Sequence, residues 1–191
     1  MEVKIGSPHD EKFGRYFIAI IPPEPAYSEI TLFKNHILSQ YQSKAALNSP
    51  PHLTLHMPFE WRREKEEQLF SGLKLFFGKM NAFELQLLNF SCFAPRTIFV
   101  EVIMTSELRD LEKELCKFCK NKFNLFHARY RDLPFHPHVT VGFRDLSKTT
   151  FALAWNEFSE KKFAARFVVD RVALLKYNGK LWEPLHYFSL N

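Results

Sequence analysis

The chain is poor in most of the features that would assign it to a specialised class. It has three cysteines, an odd number, which argues against a disulfide framework. Two of them form a CxxC, Cys116 and Cys119, but no second such pair offers the four ligands of a structural zinc. The spacing suits two small core residues of a helix. Six glycines in 191 residues, with 25% charged residues, exclude a fibrous or disordered chain. No run approaches the roughly 18 apolar residues that span a bilayer. The first residues carry no apolar leader stretch, so the expected location is cytoplasmic. G-x-S-x-G, HExxH, low-complexity tracts and a 20–50-residue repeat are all absent. The net charge of +5 is a mild basic bias. It favours a polyanionic partner without the dense cationic tails of a dedicated nucleic-acid binder.

What the chain does have is 46% hydrophobic residues, 21 of them phenylalanine, enough for a sizeable core, and one phrase written twice. Pro51-His52-Leu53-Thr54-Leu55 recurs as Pro137-His138-Val139-Thr140-Val141. In an extended strand alternate side chains share a face. His52 and Thr54 therefore point one way while Leu53 and Leu55 point the other, and His138 and Thr140 do the same against Val139 and Val141. Each apolar face can enter a core. Each polar face offers an imidazole and a hydroxyl about 7 Å apart along the strand. Two such strands side by side would present two histidines and two hydroxyls to one small ligand.

The surrounding pattern predicts an α+β chain. A strand over Tyr16–Ile21 stops at Pro22-Pro23. A helix over Ser28–Tyr41 follows, with Ser28 as its cap, then the first motif strand, His52–Phe59. A second helix spans about Glu64–Lys79. Two alternating strands, Ala82–Phe93 and Thr97–Met104, flank a turn at Ala94-Pro95-Arg96. A third helix covers Ser106–Lys122, capped by Ser106, with Leu108, Leu111, Leu115 and Cys119 inward. After a loop rich in cations and aromatics come the second motif strand, Phe135–Phe143, and a helix near Ser147–Phe158. Arg166–Tyr177 and Leu181–Leu190 read as a hairpin around Asn178-Gly179. Each motif strand is preceded by a helix and a loop and followed by another helix. The expectation is a single domain, residues 1–191, of two similar lobes, each a small sheet backed by helices.

The paired H-h-T-h motifs (h is apolar), in this order of elements, resemble the 2H phosphoesterases, and within them the bacterial 2′-5′ RNA ligase-like group. The resemblance runs from the Phe17-Ile18-Ala19-Ile20 strand to the closing hairpin. It implies a bilobal fold of two antiparallel sheets related by a pseudo-twofold axis, flanked by helices around a central cleft. It also implies catalytic roles for His52, Thr54, His138 and Thr140, with His138 favoured as the base for water and His52 as the acid. Phe93–Val102, with Arg96 ahead of an apolar strand, resembles the family too, without assigning Arg96 a role.

Two histidines suit the hydrolysis of a 2′,3′-cyclic phosphodiester, the substrate that the resemblance implies. One imidazole takes a proton from water and the other gives one to the leaving ribose oxygen; an ordinary pKa of about 6.5 serves both tasks. Threonine hydroxyls can hold the non-bridging oxygens. Neither a metal nor a cofactor is called for. The reverse reaction would join RNA ends with a 2′-5′ linkage. The expected partner is RNA with a 2′,3′-cyclic phosphate end, or a cyclic nucleotide, and the expected state is a monomer. Arg131 and Tyr130, beside Arg129, and Arg144 after the second motif are the candidates for gripping phosphate or stacking a base. Trp182 and Tyr177 could also stack a base. His56 and His136 could line the cleft by alternation, which leaves a four-histidine metal site to be weighed. His9, His36, His127 and His186 read as structural or exposed, as do Trp61-Arg62-Arg63 and the Lys113, Lys117, Lys120 face. The competing class is a silent module that binds RNA ends or a phosphorylated metabolite without turnover.

Overall fold

The alternating strands and amphipathic helices assemble around one sheet. The computed structural model describes residues 12–126 and 134–191. In chain order these are β1 (Phe13–Ile20), α1 (Ala26–Tyr41), a single 3-10 turn (Ala45–Asn48), β2 (Leu53–Arg62), α2 (Glu66–Phe77), β3 (Phe83–Phe93), β4 (Thr97–Val102), α3 (Ser106–Phe123), β5 (His138–Gly142), α4 (Lys148–Phe158), β6 (Ala164–Val169), β7 (Arg171–Tyr177) and β8 (Trp182–Ser189).

The sheet has eight strands in the order β6-β3-β4-β5-β2-β1-β7-β8. All its pairings are antiparallel. The two expected sheets are the four-stranded halves of this one curled sheet. They meet at a narrow seam between the motif strands β2 and β5, through the pair Leu53↔Val139. Each half carries its motif strand at the seam and its edge strand furthest away.

Alternation divides the sheet into two faces. Ile18, Ile20, Leu53, Leu55, Ile98, Val100, Val139, Val141, Val172 and Leu174 join residues of all four helices in the main core. Phenylalanines fill the gaps between helix and strand. Phe33 of α1 meets Phe90, Phe158 and Phe163 edge-on, while Phe77 of α2 stacks on Phe188 of β8. The opposite face carries a small second cluster of Phe17, Ala19, Ala173 and Leu175. Helices cover one face, so the other is left as the cleft.

Four local expectations are corrected. Ser28 is not a cap: α1 begins after Pro25, and the Ser28 hydroxyl donates to Glu24 at 2.9 Å. The cap of α3 is Thr105, not Ser106; its hydroxyl oxygen accepts from the Leu108 N–H at 3.2 Å. Arg166–Tyr177 is not one strand. It breaks at Asp170, so that β6 pairs with β3 at one edge while β7 runs between β1 and β8. A continuous apolar pattern cannot show such a change of partner. The hairpin loop spans four residues, because the flanking pair is Tyr177↔Trp182. Gly179 takes φ +98° there, and the Asn178 side chain accepts from the N–H groups of Lys180 and Leu181.

Helix α3 carries Leu108, Leu111, Leu115 and Cys119 into the core, as its spacing implies. Cys116 donates to Glu112 at 3.1 Å. Burial raises both thiols of the CxxC, Cys119 to about 12, so neither is a thiolate near neutral pH. Lys113, Lys117 and Lys120 are exposed, as expected. Phe77 is fully buried. Its replacement by alanine should cost about 3–5 kcal/mol, read as a lower urea midpoint at unchanged m-value.

Candidate active site

The seam brings the two motifs together. Continuing the antiparallel register from Leu53↔Val139 sets His52 opposite Thr140 and Thr54 opposite His138. All four lie on the face opposite the buried Leu53, Leu55, Val139 and Val141, and all four are half-buried. Directly opposed side chains on such a pair stand about 5 Å apart at Cβ, and diagonal ones about 7–8 Å. Each imidazole thus faces a hydroxyl across the seam, with the other imidazole on the diagonal.

The two histidines are oriented in the same way. His52 Nδ1 lies 2.8 Å from the Pro50 carbonyl, and His138 Nδ1 lies 2.8 Å from the His136 carbonyl. A carbonyl only accepts, so Nδ1 carries the hydrogen in both rings and Nε2 is left for chemistry. Each ring also rests on a phenylalanine of the next strand. Phe17 of β1 packs at 4.8 Å from His52, and Phe99 of β4 at 5.0 Å from His138. Burial lowers the pKa of both histidines. For His52 the charge of Lys34 adds to burial, the Pro50 carbonyl opposes it, and the value falls to about 4. Burial therefore favours the neutral form of both rings.

The loop that carries His52 is held from two sides. The Asp145 carboxylate, just after β5, accepts from the Ser43 hydroxyl and from the N–H groups of Lys44 and Ala45 at 2.8 and 2.9 Å. From the other side Lys34 of α1, only 2% exposed, donates to the carbonyls of Ala46 and Ser49, each at 3.0 Å. Burial lowers this ammonium to about pKa 7. Neither residue was singled out from sequence. Lys34 had a signal, a lysine between Ile30 and Ile37 in the apolar stripe of a helix. Asp145 had none, because its partners lie about a hundred positions away.

Beside His52 a cavity of about 560 Å³ opens between the β1–α1 loop, α1, the residues before β2, and β8. Its lining includes Lys34, Pro50, Pro51, Arg171, Trp182 and Tyr187. Trp182 meets Phe17 edge-on at 4.8 Å, which joins the cavity wall to the His52 ring. Tyr177 lies next to Trp182, and the Arg15 guanidinium covers both rings.

Other candidates are placed differently. His56 leaves the cleft face. Opposite the consecutive pair Ile18-Ala19, β2 presents His56 and Thr54, with Leu55 between them. This bulge turns His56 into the core at 1% exposure, with Nδ1 donating to the Met57 carbonyl and the ring against Phe59. Strict alternation cannot reveal a bulge. The four-histidine grouping that alternation allows therefore does not form. His136 stays beside the site, exposed, against Phe93 and Phe99. Arg144 is exposed beyond β5, with its guanidinium over the Phe143 ring. Arg96 is exposed at the β3–β4 turn. Tyr130 and Arg131 lie outside the described residues, as do Arg129, His127 and His9. His36 pairs with Glu157 at 2.8 Å, and His186 stacks on Phe70, so both are structural, as expected.

The family model of the 2′-5′ RNA ligase superfamily matches residues 22–181. Curated relatives include a Bacillus mycoides (strain KBAB4) protein named "Putative phosphoesterase", 32% identical over 143 residues, covering 74% of this chain and 78% of the relative. A similarly named Bacillus cereus (strain AH820) protein matches at the same identity and coverage. Among solved structures, E. coli LigT complexed with 3′-AMP aligns with a TM-score of 0.66 at 23% identity, over 94% of this chain and 99% of LigT. The TT0787 protein of Thermus thermophilus aligns with a TM-score of 0.65 at 20% identity, over 92% and 97% of the two chains. The family match and the shared fold place the chain among the 2H phosphoesterases. Within that class the chain belongs to the 2′-5′ RNA ligase superfamily. This membership supports a phosphoesterase-type function. Among the described residues, no helix is long and apolar enough to cross a membrane.

Two outcomes follow from this geometry. Asp145→Ala leaves three donors of the His52 loop without their acceptor, so stability should fall by about 1–3 kcal/mol in urea melts. His52 titrates lower folded than unfolded, so as pH falls from about 6.5 towards 4 the unfolded chain takes up the proton first and stability is lost. Over that window wild type should lose more stability than His52→Gln, measured as the change in unfolding free energy between the two pH values.

Proposed function

We propose that the chain is a metal-independent phosphoesterase acting on 2′,3′-cyclic phosphates, at RNA ends or on nucleotides, by two-histidine acid–base catalysis. The observation that carries this reading is the array across the seam. Two imidazoles, each bonded through Nδ1 to a backbone carbonyl, lie on strands that pair at Leu53↔Val139, and the register continued from that pair sets each opposite a hydroxyl.

In this mechanism the cyclic phosphate sits over the seam with the threonine hydroxyls donating to its non-bridging oxygens. One Nε2 takes a proton from water as the water oxygen bonds to phosphorus. The protonated Nε2 of the other ring gives its proton to the ribose oxygen as the P–O bond breaks. One proton is taken up and one given, so the pair ends with its roles exchanged and a proton exchange with solvent resets it. The lowered pKa of both rings is relieved when the phosphate anion arrives, because an adjacent negative charge favours the charged imidazole. The same step with a 5′-hydroxyl of a second strand in place of water, and the 3′ ribose oxygen as the leaving group, forms a 2′-5′ linkage.

The cavity beside His52 supports a nucleoside as the group attached to that phosphate. Its volume of about 560 Å³ lies within the range of small-molecule sites, and its lining includes Trp182 and Tyr187, each with a guanidinium over its ring, as aromatic partners for a base. E. coli LigT was crystallised with 3′-AMP, a nucleoside with a phosphate on its ribose.

The test is hydrolysis of a 2′,3′-cyclic nucleotide in EDTA. His52→Ala and His138→Ala should each lower kcat by about 10²–10⁴; full activity in both variants would reject the mechanism. Trp182→Ala should raise KM and leave kcat near the wild-type value, because stacking on a base holds substrate and transition state alike. A kcat loss at constant KM would remove the nucleoside from that cavity.

A further inference from the structure

The two motifs are matched in almost every respect. Each histidine follows a proline, bonds through Nδ1 to the carbonyl two residues earlier at 2.8 Å, and rests on a phenylalanine of the neighbouring strand. A matched pair gives no reason for its two members to play different parts. Yet acid–base catalysis needs one ring to hold a proton while the other lacks it.

The surroundings are not matched. The titratable groups facing His52 are Lys34 from α1 and His138 from β5. His138 faces His136 on its own segment and stands across the β4–β5 pairing from Glu101. Around Lys34, the cavity wall also carries Glu24, Arg171 and Glu183. A buried cation thus stands on one side of the pair, and a carboxylate holds the register position on the other.

Lys34 reaches His52 through a short covalent route. Its ammonium bonds the Ser49 carbonyl, and the next carbonyl along the chain, that of Pro50, orients the His52 ring. A second bond, to Ala46, fixes the other end of the same turn. A lysine at 2% exposure carries a heavy desolvation cost. A leucine or methionine would fill the same stripe of α1 at lower cost, so the helix does not need this lysine for packing.

We propose that Lys34 is a positioning residue for His52: it clamps the 46–49 turn so that the Pro50 carbonyl holds the ring, and its charge makes the two imidazoles unequal towards the proton. This rests on the two-histidine reading above for its catalytic meaning, and on geometry alone for its effect on the ring. Its logic is electrostatic. A cation near one imidazole and not the other makes protonation of the first less favourable, so a proton shared by the pair prefers His138, which makes His138 the acid and His52 the base, the reverse of the assignment that the family resemblance favours. The effect operates below about pH 7, where Lys34 carries its charge.

The experiment compares wild type, Lys34→Met and Lys34→Arg. Methionine keeps the volume and removes the donors and the charge; arginine keeps the charge. The His52 and His138 ring resonances are titrated by NMR in the ligand-free protein, with urea melts to establish that each variant is folded. In wild type His52 should titrate below His138. In Lys34→Met the His52 midpoint should rise by about one pH unit while that of His138 stays within a small fraction of that. Lys34→Arg should keep the wild-type order. In the pH profile of kcat/KM for cyclic-phosphate hydrolysis, one limb alone should move in Lys34→Met, and the roughly tenfold loss expected below pH 7 should be largely recovered by arginine. Unmoved midpoints in a folded Lys34→Met, or an equal shift of both rings, would overturn the proposal. If wild type does not hydrolyse the cyclic phosphate while the NMR result holds, the catalytic reading fails and the electrostatic role of Lys34 stands.

Discussion

The site depends on one pairing, that of Leu53 with Val139 across the seam of the sheet. Everything polar at the centre takes its place from that register. Side chains alternate with a period of two, so a slip of one residue would send His52 and Thr54 into the core and turn Leu53 and Leu55 out to water. The core resists such a slip, because Leu53, Leu55, Val139 and Val141 are all essentially fully buried. The apolar half of each motif thus acts as a ratchet for the polar half. The placing of the polar side chains comes from packing on the opposite face.

So short a seam cannot by itself hold a loop. The residues leading into His52 are fixed instead from outside the sheet, by Asp145 on one side and Lys34 on the other. Asp145 follows directly from the second motif strand, so the exit of one motif anchors the entrance of the other. This gives the two halves a second link beside their strand pairing. Of Asp145 and Lys34, only Lys34 is buried, where a charge is costly unless it is bonded, and its ammonium bonds two carbonyls.

Much of this was legible in the residues. The doubled His-x-Thr phrase, its strand setting, the four helices and the inward stripe of α3 follow from periodicity and turn chemistry, which are local. The losses were of three physical kinds. Where the chain changes partners without changing its apolar pattern, as at Asp170 between β6 and β7, periodicity carries no information. Where a bulge inserts a residue, as at Leu55 between Thr54 and His56, alternation points a side chain to the wrong face. Where a cap or clamp is chosen among neighbouring polar residues, as with Thr105 over Ser106, backbone geometry decides. Arg144 lies exposed beyond β5 with its guanidinium over Phe143, a contact between chain neighbours.

By itself the sequence determined which side chains could do chemistry, that each histidine would share a strand face with a threonine, and that the opposite face of each strand would be buried. These are consequences of the two-residue strand repeat and of apolar transfer from water, and they act over a few residues. Only the tertiary structure decided that the two strands would be neighbours, that their register would set imidazole opposite hydroxyl, and that one ring would have a buried lysine behind it. Those facts join positions up to a hundred residues apart. They are set by how two half-sheets and four helices exclude water together, which no local pattern encodes.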